Sequence, residues 1–321
     1  MTTIEGYAPG VAFHPVISLI RDRLAEKSAR GERSDGRVLA LGIEGGGVAG
    51  AVSGEMCVML EEAKMVNIFD VIYGTSSGAL NGLYVAAGKS KMGSANYQDT
   101  VSKDFFNPFR HLRGKPILSL DFLFEEVVKK RRPLSETDFR KGPDFRALGV
   151  NLISEKLEVL KDFKDLNEAL EAVRVSCSIP FFSGTTPLEF RGTPMSDGAL
   201  LESMPYNSAI NEGATDVLVL RSKKASYRKK AESERSQKIL KRFVDPRIAE
   251  MIIARPAAYN ETAKKLIELS ASDSHVFQVV PAESSYTVQR FDRSIDKINA
   301  GKRAGAAAMH QLTRLIKNPD C

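Results

Sequence analysis

Two glycine-rich turns, with Gly45 and Ser76 31 positions apart, constrain this chain more than any other feature. Each lies between a short apolar run and a helix-like stretch. The first run, residues 37–43 (Arg-Val-Leu-Ala-Leu-Gly-Ile), reads as a buried strand stopped by glycines. The turn at 44–50 follows, and then residues 51–65, where Val52, Met56, Met59, Leu60 and Ala63 recur at helical spacing. The unit repeats as a strand from Ile68 to Tyr73, a turn from Gly74 to Gly78 and a helix from Ala79 to Ala87. This order predicts a parallel sheet with crossover helices. It places both turns at the carboxyl ends of neighbouring strands, facing the crevice in which open α/β sheets bind ligands.

The remaining pattern continues this alternation. A leading helix is expected at Val16 to Leu24, within an N-terminal helical segment covering 1–36. Strands are expected at Ala147 to Ile153, Lys156 to Lys161, Asp216 to Leu220 and His275 to Val280. Helices are expected at Asp165 to Val175 and Lys302 to Ile316, with a turn at Pro194 to Ala199. Hydrophobic residues make up 43% and charged residues 27% of the 321 positions, which excludes a disordered or fibrous chain. No run approaches the roughly 18 apolar residues of a membrane span. The first residues lack the basic and apolar regions of a secretory signal. Cys57, Cys177 and Cys321 lie far apart, and His14, His111, His275 and His310 show no HxxxH spacing. Neither a disulfide framework nor a metal site is expected, no cofactor is called for, and the default compartment is the cytoplasm.

Gly74-Thr75-Ser76-Ser77-Gly78 fits G-x-S-x-G, a sharp strand-to-helix turn that exposes a serine hydroxyl above the sheet. The plainer reading is a βα turn with a capping serine. Gly45, Gly46 and Gly47 let backbone N–H groups converge on an anion beside a helix N-terminus. That anion is either a phosphate or the oxyanion of an acyl intermediate. No lysine follows as in a phosphate loop. A dinucleotide fingerprint can be read on Gly45, Gly47 and Gly50, with Asp70 as the nearest acidic ribose ligand, but Asp70 precedes the second turn. Asp197-Gly198-Ala199 is a third element, although Asp-Gly is also a common turn dipeptide. His275 offers a Ser–Asp–His order, yet it begins an apparent strand and reads as structural.

Taken together, the glycine loop, the serine turn and the distant Asp-Gly-Ala resemble the patatin-like phospholipases over roughly residues 37 to 220. The segment 176–182 (Ser-Cys-Ser-Ile-Pro-Phe-Phe) and Asn81 add to the resemblance. It implies a three-layer α/β fold, mostly parallel in its central sheet, with helices on both faces, in a single catalytic domain over 37–321. It implies lipid acyl-ester hydrolysis of phospholipase A type through an acyl-serine intermediate. Ser76 would be the nucleophile, Asp197 its base, and Gly45, Gly46 and Gly47 the oxyanion donors. Phe181 and Phe182 would line the acyl-chain channel. The chain departs from the family's G-G-G-x-[RK]-G in having Ala49 before Gly50, which removes a positive charge from that loop. A weakly active or inactive binding protein of this family, or a nucleotide-binding α/β protein, are the alternatives.

The net charge of +6 is unevenly spread. Residues 221–247 hold 11 basic and 3 acidic residues, a net of +8, which leaves −2 for the rest. The segment is expected to be a basic helical insertion, either simply solvated or attracted to anionic lipid headgroups at a membrane surface. The expected partner is a phospholipid or another acyl-ester lipid. Nucleic acid is not expected, because only Tyr227 and Phe243 are aromatic in the segment and no binding motif is present.

Overall fold

The computed structural model describes residues 11–317 apart from 180, 181 and 185. Its eight strands are β1 (Leu39–Ile43), β2 (Val71–Thr75), β3 (Asp144–Asn151), β4 (Lys156–Leu160), β5 (Leu188–Phe190), β6 (Thr193–Asp197), β7 (Asp216–Leu220) and β8 (Val276–Val279). Its α-helices are α1 (Pro15–Ala25), α2 (Gly50–Glu62), α3 (Ser77–Ala86), α4 (Ser90–Asp99), α5 (Glu136–Lys141), α6 (Leu166–Ser176), α7 (Asn207–Asn211), α8 (Glu234–Phe243), α9 (Pro246–Ser270) and α10 (Ile295–Lys317). A π-type helix spans Phe122–Arg131.

All eight strands form one sheet. β3, β2, β1, β7 and β8 lie side by side and parallel, while β4, β5 and β6 are antiparallel additions around β3. The parallel strands are buried on both faces, so they read as continuous apolar runs. Alternate residues nevertheless serve opposite layers. Leu39, Leu41, Ile43, Leu218 and Leu220 join the core under α1, α2, α3, α6 and α10. Ala40, Val217 and Val219 meet Met204, Tyr206, Ala209, Tyr259, Ala263 and Leu266 on the other face. The result is the expected three-layer α/β arrangement.

The N-terminal helix belongs to this core. α1 buries Val16, Ile17 and Ile20 in the larger apolar cluster. Its Arg23 is also buried and is held by Asp35 at 2.7 Å, Asp70 at 2.8 Å and the carbonyls of Ile68 and Arg37.

Two sequence boundaries are corrected. The second strand begins at Val71, and residues 66–68 form a single 3₁₀ turn instead. Pro194 to Asp197 is strand, not turn: Asp197 and Met195 pair with Gly149 and Asn151 of β3. The run is short and carries a proline, so periodicity alone gives it no strand signature.

That pairing organises the site. β4 occupies one edge of β3 over Ala147 to Asn151. The other edge carries β2 as far as Leu148↔Thr75, and then β6 from Gly149↔Asp197. β2 and β6 therefore approach end to end, and the residues at their facing tips are Ser76 and Asp197.

The turn after β2 needs small residues because α3 is pressed against β1. A Cβ on Gly78 would lie 2.2 Å from the Ile43 carbonyl oxygen, and one on Gly74 2.4 Å from Ala79 Cα. Gly78→Ala should therefore lower stability by about 2–3 kcal/mol in urea unfolding. Gly82→Ala, whose nearest neighbour is the Ile72 Cγ2 methyl at 3.2 Å, should cost less. A Gly78→Ala protein as stable as the parent would contradict this close approach.

Candidate active site

Ser76 sits between β2 and α3 with φ 55° and ψ −128°, a conformation that L residues rarely adopt. Strain of this kind costs about 1–3 kcal/mol and persists only where surrounding structure enforces it. Here Ser176, at the end of α6, enforces it. Its hydroxyl accepts the Ser76 N–H at 2.9 Å and donates to the Leu148 carbonyl at 2.6 Å. One side chain thus ties the turn to β3.

The Ser76 hydroxyl donates to Asp197 Oδ2 at 2.8 Å. The other carboxylate oxygen, Oδ1, accepts the Ala199 N–H at 2.8 Å, which fixes the direction of the carboxylate. Asp197 N–H donates to the Ser178 carbonyl at 3.0 Å. Both side chains are nearly enclosed, at 5% exposure for Ser76 and 4% for Asp197. Burial raises the Asp197 pKa; Arg255, the Ala199 and Ser76 hydrogen bonds and Arg290 act against that rise. A carboxylate raised in this way is a stronger base than an exposed aspartate.

The glycine loop lies beside the pair but offers fewer donors than its three glycines suggest. Gly45 N–H is already bonded to the Ser203 carbonyl at 3.0 Å, and Gly46 N–H to the Ser77 hydroxyl at 2.9 Å. Val48 N–H donates to the Arg290 carbonyl at 2.9 Å. The N–H groups of Gly47 and Ser77 have no hydrogen-bond acceptor among the described residues. Gly47, Ser76 and Ser77 line one cavity of about 60 Å³. It continues between apolar side chains, including Leu80, Phe105, Leu118, Leu123, Ile179 and Phe291.

The loop is anchored from below. Glu44, immediately before the glycines, accepts from Arg221 at 3.1 Å, from Ser222 N–H at 2.6 Å and from the Tyr259 hydroxyl at 2.6 Å. Asn81, whose position drew notice in the sequence, bonds the Gly50 carbonyl and the Ser53 and Tyr97 hydroxyls, so it fastens α3 to α2 and α4.

His275 and Asp70 do not take part. His275 lies at the start of β8, at the opposite end of the parallel sheet from Ser76. It bonds Asp216 at 2.9 Å and also meets Arg37. Strand polarity therefore keeps His275 out of a triad with Ser76. Asp70 likewise lies before β2 and is engaged by Arg23, Arg33 and the Leu39 N–H, so it is no ribose ligand. Phe182 stacks on Phe291 with centroids 5.2 Å apart and lines a second cavity. Phe181 lies outside the described residues.

The basic segment 221–247 divides in two. Arg221 is buried in its pairing with Glu44, Lys223 is buried against the Val288 carbonyl, and Lys229 lies 3.8 Å from the Tyr259 ring centroid. Burial lowers the Lys223 pKa to about 8. The outer half is α8, which buries no residue and exposes Arg235, Lys238, Lys241 and Arg242.

What sequence reasoning missed is mostly single residues without a motif. In the sequence Ser176 belongs to a block of small residues and carries no mark of its own. Arg255 and Arg290 lie in α9 and in the stretch before α10, and nothing in their local sequence marks them.

A family model described as "Patatin-like phospholipase" matches residues 41–210. Among curated proteins, the uncharacterized protein YjjU of Escherichia coli is 26% identical over 57% of this chain and 51% of its own length. Human patatin-like phospholipase domain-containing protein 5 is 26% identical over 52% of this chain and 39% of its own. The chain thus spans about half, or less, of the curated relatives it matches. Human GIVD cytosolic phospholipase A2, solved with a fluorophosphonate inhibitor, superposes with a TM-score of 0.47 and 11% identity. That superposition covers 96% of this chain and 64% of the other.

The geometry predicts an acid limb in the pH profile. If Asp197 must be ionised to take the Ser76 proton, hydrolysis of a neutral soluble ester falls as pH drops through a pKa above the usual ~3.9. Arg255 opposes the rise, so Arg255→Gln should move that limb to higher pH. A limb at or below the ordinary aspartate value, unmoved by the substitution, would contradict the assignment.

Proposed function

The chain belongs to the patatin-like phospholipase family, and from that premise we propose that it is a lipid acyl hydrolase of phospholipase A type working through a Ser76–Asp197 dyad. The observation that carries the reading is the 2.8 Å contact between a strained serine and a buried aspartate beside a glycine loop. The cavity leading from Ser76 is lined by apolar side chains, the kind of surface a fatty-acyl chain requires.

In the first half-reaction, Ser76 Oγ attacks the ester carbonyl carbon while its proton passes to Asp197 Oδ2. The carbonyl oxygen becomes an oxyanion, held by the N–H groups of Gly47 and Ser77. Each such donor contributes about 3–4 kcal/mol in comparable sites. The intermediate collapses, the alcohol leaves with the proton from Asp197, and the acyl group stays on Ser76. In the second half, Asp197 takes a proton from water, which attacks the acyl carbon. Fatty acid is released and the serine regains its proton.

The nucleotide alternative loses support from the same geometry. Gly45, Gly46 and Val48 have spent their N–H groups inside the protein, and Asp70 faces away from the loop. We also propose that α8 docks on anionic lipid surfaces, because its basic residues are exposed beside Ile239 and Phe243, at 46% and 65% exposure.

Product analysis by mass spectrometry on mixed phospholipid vesicles tests the reading. Free fatty acid and lysolipid should appear with the parent protein, and Ser76→Ala and Asp197→Asn should each lower the rate by at least about a thousandfold. Either variant at parental rate would refute the dyad. Replacing Lys238, Lys241 and Arg242 with Gln should reduce co-sedimentation with anionic vesicles and spare hydrolysis of a soluble ester. Unchanged co-sedimentation would refute the docking role of α8.

A further inference from the structure

Most buried cations of this protein have partners. Arg23 is paired with Asp35 and Asp70, and Arg221 with Glu44. Arg255, Arg290 and Lys229 are half-buried and break the pattern. No acidic side chain forms an ion pair with any of them among the described residues. The Arg255 Nε is enclosed without any hydrogen-bond partner. Lys229 Nζ has only the Ser203 hydroxyl at 3.3 Å and the Tyr259 ring. Buried charge without a counter-ion is costly, and three like charges close together cost more. The consequence is visible in their acidities. Burial lowers all three, Arg255 to about 9; repulsion from Arg290 adds to the fall at Arg255, and repulsion from both arginines adds to the fall at Lys229.

The three residues surround one space. Together with Lys230 they line a cavity of about 460 Å³, in which Glu232 is the single acidic residue. Ile179, Arg290 and Phe291 also line the apolar cavity at Ser76, so the two cavities adjoin there. Arg290 is the hinge point between them. Its carbonyl holds the Val48 N–H, and a Cβ at position 47 would come within 3.0 Å of its Cγ. Arg290 is thus packed directly against the glycine loop.

Resting on the lipid hydrolase reading, we propose that Lys229, Arg255 and Arg290 form a subsite for a doubly charged phosphomonoester headgroup on the acyl-ester substrate. The acyl chain would lie in the apolar cavity, the ester carbonyl at Ser76, and the phosphate among the three cations. A dianionic phosphate suits this cavity better than a zwitterionic headgroup. The zwitterion's quaternary ammonium would meet four cations and only one acid. Guanidinium groups, with planar paired donors, match phosphate oxygens well.

Short-chain lipids separate this subsite from attraction to a charged membrane. The parent protein is assayed on monomeric dihexanoyl phosphatidic acid and dihexanoyl phosphatidylcholine, and the kcat/KM ratio is the readout. The ratio should favour the phosphomonoester by about tenfold or more, and Arg255→Gln and Arg290→Gln should each bring it near unity. Arg255→Lys, which keeps the charge, should retain part of the preference and guards against a folding artefact. A parental ratio near or below one, or a ratio unchanged in the Gln variants, overturns the proposal. Inorganic phosphate should inhibit only weakly. If it competes as tightly as the lipid binds, the site is one for free anion and the headgroup claim falls. If neither lipid is hydrolysed, the hydrolase reading fails instead. Equilibrium binding of the same two lipids to the Ser76→Ala protein then decides the subsite, with selective phosphomonoester binding supporting it and equal binding refuting it.

Discussion

The end-on meeting of β2 and β6 along one edge of β3 is the constraint on which the site depends. Parallel pairing carries β2 to Thr75 opposite Leu148, and antiparallel pairing brings β6 back to Asp197 opposite Gly149. Two strands separated by more than a hundred residues are thereby made to stop at adjacent positions of a third. The serine and the aspartate then face each other without help from any flexible loop. Ser176 reinforces the junction by bonding both Ser76 N–H and the Leu148 carbonyl. Rigid elements hold reacting groups more closely than loops can, and here both partners sit at strand ends.

The electrostatics of the molecule follow a division of labour. Ion pairs at the foot of the sheet, such as Arg23 with Asp70 and Arg37 with Asp216, are satisfied and structural. At the carboxyl end, Glu44 and Arg221 form one enclosed pair that fixes the base of the glycine loop. Above it Arg255, Arg290 and Lys229 line the crevice without a direct ion pair among the described residues. Arg255 and Arg290 oppose the rise in the Asp197 pKa, and all three add positive potential at the mouth of the site.

The sequence made the architecture legible where apolar runs alternate with glycine turns. The strands β1, β7 and β8 and the helices α1, α3 and α6 all fall close to their expected positions. Ser76 was visible because its G-x-S-x-G turn follows an apolar strand, whereas Asp197 sits in a common Asp-Gly dipeptide and stood out only through the family resemblance. Their mutual contact was not visible, because it depends on the register of β6, whose residues Thr193 to Asp197 include a proline and lack alternation. The donors of the glycine loop were equally hidden: three glycines look equivalent in sequence, yet Ser203 and Ser77 consume two of their N–H groups. The basic segment read as one solvated surface, but half of it turns inward. Arg255 and Arg290 carry no signal, since an arginine on a helix or in a connecting stretch is ordinarily exposed.

Ser76, activated by Asp197, is the proposed nucleophile. Labelling of the folded protein with an alkyl fluorophosphonate, followed by peptide mapping, tests it most directly. A single adduct on Ser76 is expected, formed much more slowly in Asp197→Asn. An adduct on another serine, or no adduct on a correctly folded protein, would contradict it.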